Sequence, residues 1–173
     1  QIVVVGGVRR SAMISLSNLS DDRMRHAKSG QWWETAAHRA LANNSVSYTE
    51  KPDVETFMRE WLALVESKSG ERGVFNREAS KKQAAKFGRR DPNHEFGTNP
   101  CSEIILRPYQ FCNLTEVVVR ATDSVEDLER KVKLATILGT IQSTYTKFPY
   151  LRKVWRDNTE AERLLGVSLT GIM

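Results

Sequence analysis

An amide, a thiol and a carboxylate alternate along one short stretch of the chain, at Asn99, Cys101 and Glu103. Pro100 biases the residue before it toward an extended conformation, and in an extended chain every second side chain projects to the same side. The spacing therefore predicts that the three groups converge. A second thiol, Cys112, follows shortly afterwards.

Several interpretations of these thiols stay open on the residues alone. A cysteine near a glutamate is more often a small buried residue beside a solvated charge. Cys101, Cys112 and His94 offer at most three metal ligands, without the paired C-x-x-C spacing of structural zinc sites, so we predict no metal site. Two cysteines are too few for a disulfide scaffold. The histidines have no cysteine-hydrolase context; they are His26, His38 and His94.

A second candidate site lies near the start of the chain, in the loop of residues 6–11, which contains Gly6, Gly7, Arg9, Arg10 and Ser11. Paired glycines permit a tight turn, and the apolar, β-branched residues 1–5 and 12–16 on either side favour strands. A guanidinium offers a planar fork of donors to a base or a phosphate, but arginines at an ordinary hairpin turn are simply solvated.

The elements that must position these groups alternate between helices and strands. Residues 21–41 predict one or two amphipathic helices broken near Ser29 and Gly30. Asp53 can cap a helix that ends near Gly70, and the apolar stripe of this helix is Phe57, Trp61, Leu64 and Val65.

The second half of the chain continues the pattern. Residues 77–87 predict a basic helix, and residues 88–100 predict a long ordered loop. Strands are expected over residues 103–106 and 113–120, before a helix capped by Ser124 and Asp127. The alternation favours an α/β architecture with parallel strands.

The composition restricts the possible functions. The chain has 173 residues, 40% of them hydrophobic, and a formal charge of +5, which is typical of one globular domain. It lacks the run of about 20 apolar residues that a membrane helix needs and shows no targeting signal, so we predict a cytosolic protein. Both ends are apolar, from which we expect a partial domain over residues 1–173, truncated at both ends.

The pI near 9.4 leaves nucleic acid open as a partner. Lys81, Lys82, Lys86, Arg89 and Arg90 cluster around Phe87, and such a cluster predicts a basic nucleic-acid-binding module as the alternative function. An inactive remnant of a split gene is a third possibility.

The string Asn99-Pro100-Cys101-Ser102-Glu103 closely resembles the active-site finger loop of ribonucleotide reductases. Further strings are similar to the adenosylcobalamin-dependent class II enzymes, most of all the ribonucleoside-triphosphate reductases, and occur in the family's order along nearly the whole chain. These strings are residues 6–14, 40–45 and 107–116. The resemblance implies that the chain is an interior portion of a ten-stranded α/β barrel that carries the finger loop.

The resemblance also implies a role for each candidate residue. Cys101 matches the cysteine that becomes a thiyl radical and takes the 3′-hydrogen of the ribose, and Glu103 matches the base for the 3′-hydroxyl proton. Asn99 would hold the ribose hydroxyls. Cys112 matches one of two reducing thiols, whose partner lies upstream of residue 1. The loop of residues 6–11 looks like the family's specificity loop.

The partners follow from the same resemblance. It implies adenosylcobalamin as cofactor, a ribonucleoside triphosphate as substrate, a deoxynucleotide effector and a thioredoxin-like reductant. The family enzymes are several times longer, so we expect this segment alone to be inactive.

Overall fold

A computed structural model describes residues 12–172, which divide into two compact units, one running to Ile105 and the other beginning at Leu106. The strand predicted over residues 1–5 and the loop of residues 6–11 lie outside the described residues. The strand predicted over residues 12–16 is present as β1, Ile14–Ser17.

Three parallel strands form the sheet of the first unit, in the order β1, β2 (Asn43–Tyr48) and β3 (Gly73–Asn76). Ile14 pairs with Asn43, and Ser45 pairs with Gly73. Five of the six β2 residues are buried, as expected for a parallel strand with neighbours on both edges. The parallel pairing confirms the α/β class.

Short helical turns connect β1 to β2 where longer helices were predicted. They are α1 (Asp22–Arg25), α2 (Trp32–Thr35) and a 3-10 helix over Ala37–Leu41. The longer helices are wrong because the backbone leaves helical values at Ala36, where φ is −146°. The predicted break is confirmed, since Gly30 has a φ of +63°, which side chains rarely adopt.

Helix α3 (Val54–Ser67) crosses from β2 to β3. Asp53 caps it, because the carboxylate accepts a hydrogen bond from the Thr56 amide at 2.8 Å. The helix ends at Lys68, which has a left-handed φ of 53°, slightly before the predicted end at Gly70. Its predicted apolar stripe does not form the buried face, since the buried residues of α3 are Glu60, Ala63 and Ser67.

A buried ion cluster explains this choice of face. The Arg72 guanidinium donates two hydrogen bonds to Glu60, at 2.7 and 2.9 Å, and one to the Ser17 hydroxyl at 2.8 Å. Arg25 also donates to Glu60. Burial raises the pKa of the Glu60 carboxyl, but the hydrogen bonds from Arg72 and Arg25 outweigh burial and leave that pKa below its ordinary value. The cluster ties α1, α3 and the residue directly before β3 to the end of β1.

The predicted basic helix is present as α4 (Arg77–Ala85), capped by Asn76. A long loop then leads to β4 (Gly97–Thr98), and β5 (Ile105–Leu106) follows the candidate residues. The two short strands form a two-stranded sheet. Phe96 at the entry of β4 is fully buried and fixes that end of the loop.

The second unit pairs β6 (Asn113–Val118) in parallel with β7 (Leu165–Thr170). Helix α5 (Val125–Gln142) begins at the predicted Ser124–Asp127 capping box and packs on both strands. Gly139 allows this close approach, because a Cβ there would lie 2.1 Å from Leu165 Cδ1. Helix α6 (Lys153–Glu162) precedes β7.

The described residues form parallel sheets of three and two strands, and the ten-stranded barrel stays a prediction, as does the assignment of residues 1–173 to one barrel domain. Within residues 12–172, no helix is both long and apolar enough to cross a lipid bilayer.

Candidate active site

The segment of Asn99, Cys101 and Glu103 forms a tight turn. The Ser102 amide donates to the Asn99 carbonyl at 3.0 Å, and Ser102 has a left-handed φ of 67°. The extended conformation predicted here is wrong, because the fixed φ of proline also suits the second position of a β-turn. Asn99 and Cys101 therefore belong to one turn, and Glu103 directly follows it, instead of the three side chains alternating along a strand.

The Asn99 side chain closes this turn from within. Its Oδ1 accepts hydrogen bonds from the Ile104 amide at 3.0 Å and from the Thr98 hydroxyl at 3.4 Å. Its amide nitrogen keeps its two hydrogens for other acceptors. Asn99 is half-buried, whereas Cys101 and Glu103 are exposed. The structure therefore presents a thiol and a carboxylate on a turn that an internal amide braces, and Cys101 is not the buried cysteine of the alternative interpretation.

Two arginines hold the flanks of the turn. Arg77 Nε donates to the Phe96 carbonyl at 2.8 Å, and Arg90 Nη2 donates to the Ile105 carbonyl at 2.9 Å. The Arg90 guanidinium also lies 5.3 Å from the Phe96 ring centre. Nothing in the sequence connected Arg77 to the turn, and Arg90 was predicted to belong to the basic cluster of the alternative function.

A third tie comes from β2, where Asn43 Nδ2 donates to the Pro100 carbonyl at 2.6 Å. Asn43 lies in one of the strings that carry the family resemblance, but nothing in the sequence connected it to the turn. The two residues are 57 positions apart, so only the fold brings them together.

Cys112 belongs to the second unit, where it is half-buried directly before β6. The neighbouring Gln110 is buried, and its Nε2 donates to Glu162 Oε2 at 2.6 Å and to the Asn158 carbonyl at 3.2 Å. Its Oε1 accepts from the Arg107 amide at 2.8 Å. Gln110 thereby fixes the chain before Cys112 to helix α6.

Aromatic contacts strengthen the same attachment. Phe111 stacks on Trp155 of α6 with ring centres 4.7 Å apart, and Phe148 meets Phe111 edge-on at 5.1 Å. Tyr109 packs edge-on against Trp155 at 5.7 Å. Pairs of this geometry contribute beyond the area that they bury, so the position of Cys112 is well determined within its unit.

The candidate loop residues Gly6, Gly7, Arg9, Arg10 and Ser11 lie outside the described residues. Among residues 12–172, no cluster of three or more His, Cys, Asp or Glu side chains could hold a metal ion. In the basic cluster, Lys81 pairs with Glu78 at 3.4 Å and with Glu95 at 3.8 Å.

Comparison with known proteins relates nearly the whole chain to one enzyme family. The protein named adenosylcobalamin-dependent ribonucleoside-triphosphate reductase from Lacticaseibacillus paracasei is 35% identical over 98% of this chain and 22% of its own length. Proteins of the same name from Lactobacillus delbrueckii subsp. bulgaricus and Levilactobacillus brevis are each 31% identical over the same shares. No family model matches the chain, and no solved structure matches it significantly. The chain therefore spans about a fifth of the length of these curated relatives.

Proposed function

This chain belongs to the family of proteins named adenosylcobalamin-dependent ribonucleoside-triphosphate reductase, since it is 35% identical to one of them over 98% of its length, and we propose that it is a segment of such a reductase. The reaction is the conversion of ribonucleoside triphosphates to 2′-deoxyribonucleotides. The observation that carries the proposal is the braced turn that exposes Cys101 and Glu103.

Cys101 is the residue that opens the reaction. Its thiyl radical takes the 3′-hydrogen of the ribose, which leaves a carbon radical at C3′ and restores the thiol. An exposed thiol at a turn is accessible to a sugar. The internal hydrogen bonds of Asn99 keep the turn in one geometry, as a near-attack arrangement requires.

Glu103 accepts the proton of the 3′-hydroxyl as general base. Glu103 then passes that proton to the 2′-hydroxyl, which leaves as water, and a 3′-keto radical remains at C2′. The amide nitrogen of Asn99 is the donor in the turn that can hold a ribose hydroxyl, since its oxygen already accepts from Ile104.

Cys112 supplies reducing equivalents. Together with a second thiol that this chain does not contain, it gives two electrons and two protons to the keto radical and becomes a disulfide. The 3′-hydrogen then returns from Cys101, which regenerates the thiyl radical. The attachment of residues 109–111 to α6 holds Cys112 for this step.

Adenosylcobalamin, when bound, supplies the radical that oxidises the Cys101 thiol. The Cys101 thiol fits this chemistry, because it is exposed and can be reached from outside the turn. The described residues of this chain contribute the thiol that the radical oxidises.

Specificity and supply of electrons complete the proposal. Arg9 and Arg10, with Gly6, Gly7 and Ser11, form the loop that senses a deoxynucleotide effector and contacts the substrate base. A thioredoxin-like protein reduces the disulfide. We propose that this chain alone is inactive, because its two cysteines supply the radical thiol and one reducing thiol.

Serine variants of the two cysteines in the intact enzyme test the proposal. Cys101→Ser should abolish turnover and leave nucleotide binding intact, because the O–H bond is too strong to yield the radical. Cys112→Ser should still permit hydrogen abstraction at C3′ but release free base, because the 3′-keto intermediate is not reduced.

Both products are measured in one assay, as free base and deoxynucleotide from the same labelled substrate. Turnover of Cys101→Ser within tenfold of wild type would remove Cys101 from the chemistry. A normal deoxynucleotide yield from Cys112→Ser over repeated turnovers would leave Cys112 with a packing role only.

A further inference from the structure

The hydrogen bond from Asn43 to the Pro100 carbonyl acts on a particular peptide unit. In the turn of residues 99–102, the bond from the Ser102 amide to the Asn99 carbonyl fixes the two ends. The central peptide, between Pro100 and Cys101, takes no part in that bond. The orientation of this peptide is what distinguishes the common β-turn types, and a hydrogen bond to its carbonyl can select one orientation.

Asn43 is well placed to make the selection. Its own backbone is held at the start of β2, where its amide donates to the Met13 carbonyl at 2.8 Å and the residue pairs with Ile14. Its side chain reaches the Pro100 oxygen at 2.6 Å. A side chain that is anchored on strand β2 therefore binds the carbonyl of the Pro100–Cys101 peptide, which is bonded directly to the Cα atom of Cys101.

We propose that Asn43 is a positioning residue that sets the direction of the Cys101 thiol by locking the Pro100–Cys101 peptide. The inference rests on the proposed function, in which Cys101 is the reactive thiol. Asn43 itself touches neither the sulfur nor the substrate. Its effect passes through one carbonyl group, because rotation of that peptide moves the Cys101 side chain relative to the turn.

The adjacent Asn44 offers a matched control. Its side chain also donates to a backbone carbonyl, that of Met24 in α1, at 2.8 Å. Side chains at successive strand positions point to opposite faces of a sheet, and the two asparagines contact different segments. Asn44→Ala therefore removes the same kind of hydrogen bond from the same strand without touching the turn.

Amide hydrogen exchange of the chain tests the structural half of the inference. In Asn43→Ala, the Ser102 and Ile104 amides should exchange roughly three- to tenfold faster, as expected from the loss of one intramolecular hydrogen bond. The amide of Val46, which is fully buried in β2, should keep its protection. Asn44→Ala should leave the two turn amides unchanged.

Equal loss of protection at Val46 and at the turn would mean that Asn43 only stabilises the strand, and the inference would fail. Asn43→Asp provides a second variant in case alanine disrupts β2, because it keeps the shape and replaces the donor with an acceptor. Unchanged exchange of Ser102 and Ile104 in Asn43→Asp would also overturn the inference.

Kinetics of the intact enzyme test the functional half. We expect Asn43→Asp to lower kcat at least tenfold with little change in KM, because the thiol is misdirected while the nucleotide still binds. Asn44→Ala should retain kcat within threefold. If kcat of Asn43→Asp falls no further than kcat of Asn44→Ala, the inference is contradicted and the proposed function stays intact. If Cys101→Ser remains active, the proposed function fails, and the exchange data still decide whether Asn43 locks the turn.

Discussion

Glu60 is a carboxylate buried between the guanidinium groups of Arg25 and Arg72. A buried charge is tolerated when partners replace the lost hydrogen bonds to water. Removing one member of a buried ion pair leaves the other charge buried without compensation. The hydrogen bonds that Glu60 accepts are therefore more important for folding of the first unit than the exposed ion pairs on the same helix.

We predict that Glu60→Gln destabilises the chain by about 3 kcal/mol, because it leaves the buried Arg72 guanidinium without its charge partner. The measurement is urea unfolding at neutral pH. Glu55→Gln is the control, since Glu55 pairs with Arg59 at 2.6 Å on the exposed surface of α3, where such pairs contribute under about 1 kcal/mol. Equal losses in the two variants would contradict the role of the buried cluster.

The same carboxylate predicts an acid dependence of stability. The pKa of Glu60 is lower in the folded chain than its ordinary value, so the unfolded state binds its proton first as the pH falls. The stabilisation is complete above the ordinary pKa and is lost as the pH falls through the folded value. We expect unfolding midpoints of wild type to fall across this acid window and those of Glu60→Gln to fall less. Parallel curves for the two proteins would exclude Glu60 as the titrating group.

Helix starts were predictable because their signals are local. The capping box at Ser124 needs two residues three positions apart, and both of its hydrogen bonds are formed. The same holds for Asp53 at the start of α3. Strand β2 was not predicted, because Asn43, Asn44, Ser45 and Ser47 are polar and only their neighbours in the sheet explain their burial.

The candidate site shows the same division. The sequence located Asn99, Cys101 and Glu103 but not their geometry, because proline is compatible with both a strand and a turn. The buried face of α3 was predicted wrongly, because a hydrophobic pattern assigns the apolar stripe to the core and the charged Glu60 to the surface. The partners of Glu60 come from distant segments, and the pattern contains no information about them.

We predict that Ser124→Ala destabilises the second unit by about 1 kcal/mol, the usual effect of removing an N-cap. The Ser124 hydroxyl accepts from the Asp127 amide at 3.1 Å, and helix α5 supports both β6 and β7. Thermal unfolding measures the loss. Ser124→Thr keeps the hydroxyl and should stay close to wild type, and a similar loss from threonine would point to crowding at the cap.

The 173-residue chain exposes a continuous apolar stripe along α5. Leu134, Leu138 and Ile141 are 60%, 61% and 51% exposed, and their spacing places them on one face of the helix. Apolar surface of this kind favours association or contact with further protein. The curated relatives have the additional length that could cover it.

We predict that the chain on its own self-associates through this face, and that Leu138→Lys reduces the association without lowering the unfolding temperature. Sedimentation velocity at several protein concentrations measures the first effect, and circular dichroism measures the second. Lys133→Ala serves as control for a change of charge on the same helix. A monomeric wild-type chain would contradict the prediction.

The parallel pairing of β6 with β7 has a consequence for synthesis on the ribosome. Asn113 pairs with Leu165, about fifty residues later, so at roughly 5–20 residues per second β6 emerges about 3 to 10 s before the strand it pairs with here. During that interval α5 can already fold, because its cap and its hydrogen bonds are local. If α5 folds early, it covers one face of β6 before β7 is synthesised. A chaperone that binds unpaired strand edges could then bind β6 throughout this interval.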